Sequence, residues 1–280
     1  MANPGESTFE IRFWGTRGTL PTPGDQFRQA GGNTNCTEVT CGEHTLIFDG
    51  GTGIRELGSK LASEGKTDKI HLLLTHAHYD HVEGIPFFAP FFNPASAIDV
   101  YCGKLDGSNS TEDTVLNLMR RPYFPVGPDV FTSKVKFIDL ETRAAFNIGN
   151  QIKISTIPLV HPGGATGYRV DFDNRSFAVV TDTEHVPEKP DESILEFING
   201  VDLFIYDSSL TDAEVTEFAG YGHSSYEEGM RLCREAGAKA FMAFHHMPFR
   251  TDLELNSFEQ EIREDNCKSG VAREGDILNL

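Results

Sequence analysis

Residues 72–84 read LLLTHAHYDHVEG, an apolar run followed at once by His76, His78, Asp80 and His81. Aspartate and histidine are weak formers of regular structure and gain nothing from being packed together in a core. Four of them in six positions need a common cationic partner. Imidazole nitrogens and carboxylate oxygens are the donors that a zinc ion takes, at about 2.0–2.2 Å. Four donors bunched on one turn cannot surround a single ion, so other segments must contribute. Candidates stand in equivalent places: His161 after ISTIPLV, Asp182 in AVVTDT and His245 in FMAFHH, each at the end of a hydrophobic run. Five histidines and two aspartates suffice for two ions that share one carboxylate.

Residues so distant in sequence can meet only if strands carry them to one sheet edge. Strand-like runs rich in Val, Ile and Phe, bounded by Gly, Asp or Asn, occur at Phe9–Trp14, Cys36–Cys41, Thr45–Phe48 and Ile70–Thr75. Others are Ile98–Tyr101, Val135–Ile138, Ile152–Pro158, Gly167–Phe172, Ser176–Thr181, Leu203–Tyr206 and Ala240–Phe244. Helices are expected over Gly53–Ser63, Pro190–Ile198 and Ser224–Ala236, the last with a serine N-cap and acids in its first turn. VEGIPFF suggests a further helix after the histidine loop. A strand-rich first half followed by strands interleaved with helices predicts an α/β fold, two facing sheets with helices outside. With no linker in sight, residues 1–280 are expected to form one domain.

Composition narrows the partners. With 280 residues, 39% of them apolar, the chain can bury a sizeable core. The net charge of -18 argues against a long nucleic acid, whose binding demands a basic footprint. A small anionic substrate stays open if metal ions make the pocket itself positive. No apolar stretch is long enough to span a bilayer, and MANPGESTFEIRFWG lacks the pattern of a secretory signal; both favour the cytoplasm. Cys36, Cys41, Cys102, Cys233 and Cys267 form no C-x-x-C pair and are expected as buried, reduced thiols. Cys36 and Cys41, five apart on one strand, should face opposite sides of it.

THAHYDH, the lone His161, TDT around Asp182 and FHH around His245 resemble the metallo-β-lactamase superfamily, over most of the chain from FWGTRGTLPTPG to EGDILNL. The resemblance implies an αββα sandwich of two facing mixed β-sheets, with the site at one sheet edge. It implies that His76, His78 and His161 hold a first divalent ion and that Asp80, His81 and His245 hold a second. Asp182 would bridge them, with zinc as the first choice of metal and manganese or iron as alternatives. No cysteine occupies a ligand position, unlike the penicillin-hydrolysing branch, which argues against β-lactam hydrolysis. In DGGTG, Asp49 would brace the metal loop.

From His223 to His245, HSSYEEGMRLCREAGAKAFMAFHH resembles the ribonuclease Z-like phosphodiesterases. There a histidine precedes a helix and an acidic residue at a strand end supports it. His223 and Asp207, in LFIYDSSL, match those positions, with Asp where the family usually has Glu. Ribonuclease Z also carries a long tRNA-gripping arm. Here Gly167–Asp182 leaves room only for a short turn near Asp173–Asn174.

The reaction that this implies is hydrolysis of a small phosphodiester, such as a cyclic nucleotide or cyclic sugar phosphate. Two metal ions activate water and neutralise a phosphoryl oxygen, Asp80 orients the nucleophile, and His223, kept protonated by Asp207, supplies the leaving group's proton. The same metal core could instead hydrolyse a lactone, ester or thioester, which needs no such acid. Arg17 is expected to meet a phosphate or to make a surface salt bridge. Asn33 and Asn35 are candidates for reading the substrate. The Met119–Phe131 segment either flanks the pocket or meets a second copy in a homodimer. His185 and His246 could support ligands from behind; His44 and His71 have no such context.

Overall fold

In the computed structural model, which describes residues 7–103, 110–266 and 268–280, the strand runs assemble into two seven-stranded sheets. In chain order the strands are β1 (Phe9–Gly15), β2 (Cys36–Cys41), β3 (His44–Phe48), β4 (Ile70–Leu74), β5 (Ala97–Gly103), β6 (Lys134–Leu140) and β7 (Ala145–Ile148). They continue as β8 (Ile152–Leu159), β9 (Ala165–Phe172), β10 (Arg175–Val180), β11 (Leu203–Asp207), β12 (Phe241–Phe244), β13 (Gly270–Val271) and β14 (Ile277–Asn279). The helices are α1 (Ile54–Glu64), α2 (Tyr79–Val82), α3 (Thr111–Leu116), α4 (Glu192–Phe197), α5 (Tyr226–Glu235) and α6 (Asp252–Asp265). One sheet runs β14-β1-β2-β3-β4-β5-β6, the other β13-β12-β11-β10-β9-β8-β7. Both are mixed, and helices cover their outer faces.

The period-two pattern of each strand explains the layers. Phe9, Ile11 and Phe13 of β1 point into the space between the sheets, where they meet Tyr168, Phe177 and Phe244. On β4, Leu73 joins that central layer, while Leu72 and Leu74 pack outward against α1. Every β4 residue is therefore buried, as expected of a strand covered on both faces. Cys41 enters the central layer and Cys36 the outer one, on opposite faces as their spacing predicts. Cys36, Cys41, Cys102 and Cys233 are free and buried; Cys267 and the first six residues lie outside the described residues. Among the described residues, no helix is long and apolar enough to cross a membrane.

Strand direction does the positioning. β3 runs parallel to β4, and β10, β11 and β12 run parallel to one another. β8 is antiparallel to β9, which is antiparallel to β10, so β8 also points that way. The residues just past these six C-terminal ends are the polar ones of interest. The β9–β10 connection is the two-residue turn Asp173–Asn174, with φ of 51° and 59°, the mirror-image turn that suits strand twist. It leaves no room for an inserted arm.

Local boundaries differ from expectation in one place that matters. The helix after the histidine loop begins at Tyr79, inside the motif, and lasts one turn, with VEGIPFF continuing only as a tighter turn over Ile85–Phe87. Asp80 and His81 are thus helical residues, side by side on a short rigid turn. α3, α6, β7, β13 and β14 were not among the expected elements.

Candidate metal centre

Each strand end contributes a fixed donor. Past β4 come His76 and the α2 turn; past β8, His161; past β10, Asp182; past β12, His245. Asp49, Asp182 and His245 all have φ of 62°. That left-handed backbone is costly for a residue with a side chain and tends to persist where surrounding structure enforces a functional geometry.

The donors fall into two groups about Asp182. His76, His78 and His161 lie together, with His161 Nε2 3.0 Å from His78 Nδ1 and both His76 Nε2 and His161 Nε2 3.8 Å from Asp182 Oδ1. Asp80, His81 and His245 form the other group. His81 Nε2 is 3.2 Å from Asp182 Oδ2 and 3.3 Å from Asp80 Oδ2. His245 Nε2 is 3.2 Å from Asp80 Oδ2 and 3.2 Å from Asp182 Oδ1. An ion held tetrahedrally by bonds of about 2.0–2.1 Å separates its ligands by roughly 3.3 Å. Both groups have that spacing, and the buried His76 Nε2 has no hydrogen-bond partner. The residues fit a pair of divalent ions, with the Asp182 carboxylate between them.

Tautomers are set from behind, as metal-binding imidazoles require. His81 Nδ1 donates to Asp49 Oδ2 at 2.8 Å, and Asp49 also accepts from the Thr75 amide at 2.8 Å. His161 Nδ1 donates to the Gly222 carbonyl at 2.9 Å. His245 Nδ1 lies 2.8 Å from Ser209 Oγ. In each case Nε2 is left facing the centre.

Electrostatics divide the two groups. Burial holds His76 well below the usual histidine range and lowers His78 and His161, disfavouring their charged forms. Burial also opposes charge on His81 and His245, but Asp182 and Asp80 outweigh it. His81 is raised well above its ordinary value and His245 is pushed up to about 10. The same rings hold Asp80 and Asp182 well below the carboxylate range despite burial. Anions at this centre therefore call for cations, whether protons or metal ions.

Beside the donors stands a separate pair. His223 Nδ1 lies 2.9 Å from Oδ2 of Asp207, which is 0% exposed. The shorter Asp thus reaches the histidine in place of a Glu. Asp207 Oδ1 accepts from the Ser209 amide and hydroxyl at 3.1 and 2.8 Å. Both Asp207 oxygens are thus engaged, and Asp182, Asp207, His223 and His245 each offer an atom within 4.8 Å of the others. The His223 ring stacks 4.9 Å from His245, its side chain 12% exposed. Burial disfavours its charged form, Asp207 favours it more, and the net shift is upward.

Three expectations need correction. Arg17 neither faces a phosphate nor makes a surface salt bridge: it is 0% exposed, and its guanidinium donates to the carbonyls of Gly31 and Arg250. Its loop matters through Thr19 instead, whose amide donates to Asp80 Oδ2 at 2.7 Å. Asn33 braces Glu274 and Thr52 away from the donors, whereas Asn35 Nδ2 approaches His81 Nε2 at 2.8 Å. His246 is buried with Nε2 donating to the Ala272 carbonyl, a structural tie. Within the Met119–Phe131 segment, Tyr123 and Phe124 line a 590 Å³ cleft with Ala77, Tyr79 and Phe87, beside the histidine loop. Thr19, Ser209 and Glu184 were not read as site residues. No local motif marks them.

The beta-lactamase superfamily domain matches residues 44–246, a span that contains all seven donors and the His223–Asp207 pair. The chain belongs to that superfamily. The ribonuclease Z of Picrophilus torridus is 20% identical over 291 residues, covering 89% of this chain and 89% of that protein. Among solved structures, the metallo-beta-lactamase fold protein YhfI from Bacillus subtilis superposes with a TM-score of 0.73 at 17% identity, over 98% of this chain and 100% of that one. A diphosphatase from the PhnP family gives 0.68 at 17% identity, over 97% and 98%. At such identities the structural likeness establishes the superfamily's αββα sandwich and no more.

Proposed function

We propose that this superfamily member is a two-metal hydrolase of small phosphodiesters, with cyclic nucleotides or cyclic sugar phosphates as the substrate class. The observation that carries the reading is His223, an imidazole held by a buried carboxylate beside the donor set and outside it. His76, His78 and His161 would hold one ion and Asp80, His81 and His245 the other, with Asp182 between; the nitrogen-rich donors favour zinc, with manganese or iron as alternatives. Bound there, two such ions would activate water and neutralise charge on a phosphoryl oxygen.

The chain's own residues would supply the rest. Asp80, kept anionic, commits Oδ2 to Thr19 and His245, leaving Oδ1 to orient an attacking water. His223 Nδ1 is committed to Asp207, so Nε2 is the atom that would give its proton to the departing oxygen as the phosphorus–oxygen bond breaks. Asp207 would steady the imidazolium without taking its proton. The short β9–β10 turn and the charge of -18 support a small substrate over a long nucleic acid. The names of the relatives, a ribonuclease and a diphosphatase, support cleavage at phosphorus.

His223→Ala tests the assignment. It should leave metal content unchanged and lower kcat on a phosphodiester with an alkoxide leaving group by roughly 10²–10⁴. The loss should shrink with p-nitrophenolate, which departs without a proton. Unchanged phosphodiester turnover in the variant, with far faster lactone or thioester turnover in the wild type, would replace the phosphodiesterase by an acyl hydrolase.

A further inference from the structure

We propose that Glu184 and His185 are positioning residues that clamp the Gly220–Ser224 loop on both sides of His223 and so fix the proton donor over the metal centre. This rests on the reading of His223 as the acid.

The clamp is built from consecutive residues after β10, each engaged with a different part of the His223 apparatus. Asp182 is the central carboxylate. The Thr183 amide donates to Asp207 Oδ2 at 3.4 Å, on the oxygen that also receives His223. Glu184 Oε2 accepts from the amides of Gly220 and Gly222 at 2.8 and 2.9 Å. His185 Nδ1 lies 2.6 Å from Ser224 Oγ, which also meets the Tyr206 hydroxyl at 2.8 Å. One residue pins the loop just before His223 and the other just after it.

Glu184 also closes a ring. Its own amide donates to the Val160 carbonyl at 2.7 Å. The next residue, His161, donates from Nδ1 to the Gly222 carbonyl. The same peptide segment thus fixes a metal-donor imidazole and the proton-donor loop against each other. Gly222 makes that closeness attainable: its φ is +83° and an added Cβ would lie 2.2 Å from His161 Nδ1. Two flexible glycines, Gly220 and Gly222, both with positive φ, would otherwise let the loop wander. A carboxylate that gathers both amides removes that freedom, and a shift of about 1 Å in a catalytic group can cost roughly 10²-fold in rate.

The test compares Glu184→Ala, Glu184→Gln, His185→Ala and His185→Asn in the metal-loaded full chain, with amide hydrogen exchange of the 218–224 segment and kinetics on two phosphodiesters. Glu184→Ala and His185→Ala should speed exchange in that segment at unchanged metal content. They should lower kcat by roughly 10–10²-fold on a substrate with an alkoxide leaving group, with KM little changed and a much smaller loss on bis-(p-nitrophenyl) phosphate. Gln retains an oxygen that accepts amides, and Asn places a polar atom near the Nδ1 position; both should recover most of the loss. Should the alanine variants fail to fold, Ser224→Ala, which removes the hydroxyl that His185 grips, should show the same leaving-group dependence. If His223→Ala depresses alkoxide turnover while the Glu184, His185 and Ser224 variants do not, the clamp is overturned alone. If His223→Ala is itself silent, the acid assignment falls and takes the clamp's catalytic role with it. Equal losses on both substrates would show general damage and would also overturn it.

Discussion

The sandwich has clustered histidines at both ends, and they behave differently. At the strand ends past β4, β8, β10 and β12, imidazoles converge with their second nitrogens fixed from behind and their inner nitrogens facing carboxylates. At the other end, His44 of β3 and His71 of β4 face each other, Nδ1 to Nε2 at 3.1 Å, with the Tyr101 hydroxyl 3.5 Å from His71 Nδ1. There the rings satisfy one another. The carboxylate nearest His71, Asp99, stands 3.8 Å away and is shared with Lys136. Burial pushes His71 down to about 4, whereas His245 rises to about 10. Burial of histidine therefore does not mark a site. What distinguishes the strand-end cluster is that its imidazole nitrogens converge on the buried carboxylates of Asp80 and Asp182.

The largest effect that could break this contrast is on metal content. The wild-type chain should hold about two transition-metal ions, and His76→Ala or His81→Ala should bring that to one or fewer by elemental analysis. Turnover should fall by more than roughly 10²-fold, beyond the range typical of residues that only support ligands. Chelation should also lower the melting temperature, because ions bound only by the folded chain stabilise it by about 2.7 kcal/mol at 100 times Kd. His44→Ala should leave metal content at the wild-type value. A chain that takes up no metal under any loading condition would make the two ends equivalent after all.

A smaller effect sharpens the contrast from behind the donors. Asp49→Asn keeps an oxygen for the Thr75 amide but removes the charge that faces His81 Nδ1. Metal affinity should fall by roughly 10- to 100-fold, the usual cost of losing an outer partner, as read by competition with a chromogenic chelator. Asp49→Ala should add a loss of stability of about 1–3 kcal/mol, since the buried Thr75 amide then lacks an acceptor.

These supports were the part of the site least legible in the sequence. The seven candidate donors stand at ends of apolar runs or in a dense cluster, which residue type and spacing point to, whereas the His223–Asp207 pair was legible only through a family resemblance. Asp49 was legible through the DGGTG turn. Glu184, Ser209 and Thr19 were not, because a lone Glu or Ser in a loop acquires its role only when strands far apart in sequence meet. In the fold, strands with an alternating apolar pattern, such as β1, or a continuous one, such as β10, β11 and β12, were readable. β13 has two residues and β14 three, too few for a period. α6 carried a usable signal, the Thr251–Glu254 capping box that the structure forms. Arg17 misled because an arginine in a Gly- and Pro-rich loop looks exposed. Its burial depends on carbonyls supplied by Gly31 and Arg250.

The smallest effect concerns the His44–His71 pair. His71 has a folded pKa of about 4, lowered by burial and by His44, against about 6.5 in an unfolded chain. Between those values the unfolded chain binds more protons than the folded one, so stability falls as pH falls through that window and is full above it. The shift corresponds to at most about 3 kcal/mol, lost progressively from pH 6.5 to pH 4. His71→Gln removes the titrating ring, so its unfolding free energy should depend less on pH across that window than the wild type's. Urea titrations of both proteins at several pH values, each metal-stripped so that donor protonation contributes equally, would isolate the difference. Parallel pH profiles would mean that the His44–His71 pair stays solvated enough to keep its ordinary protonation, and the contrast between the two ends would then rest on the carboxylates alone.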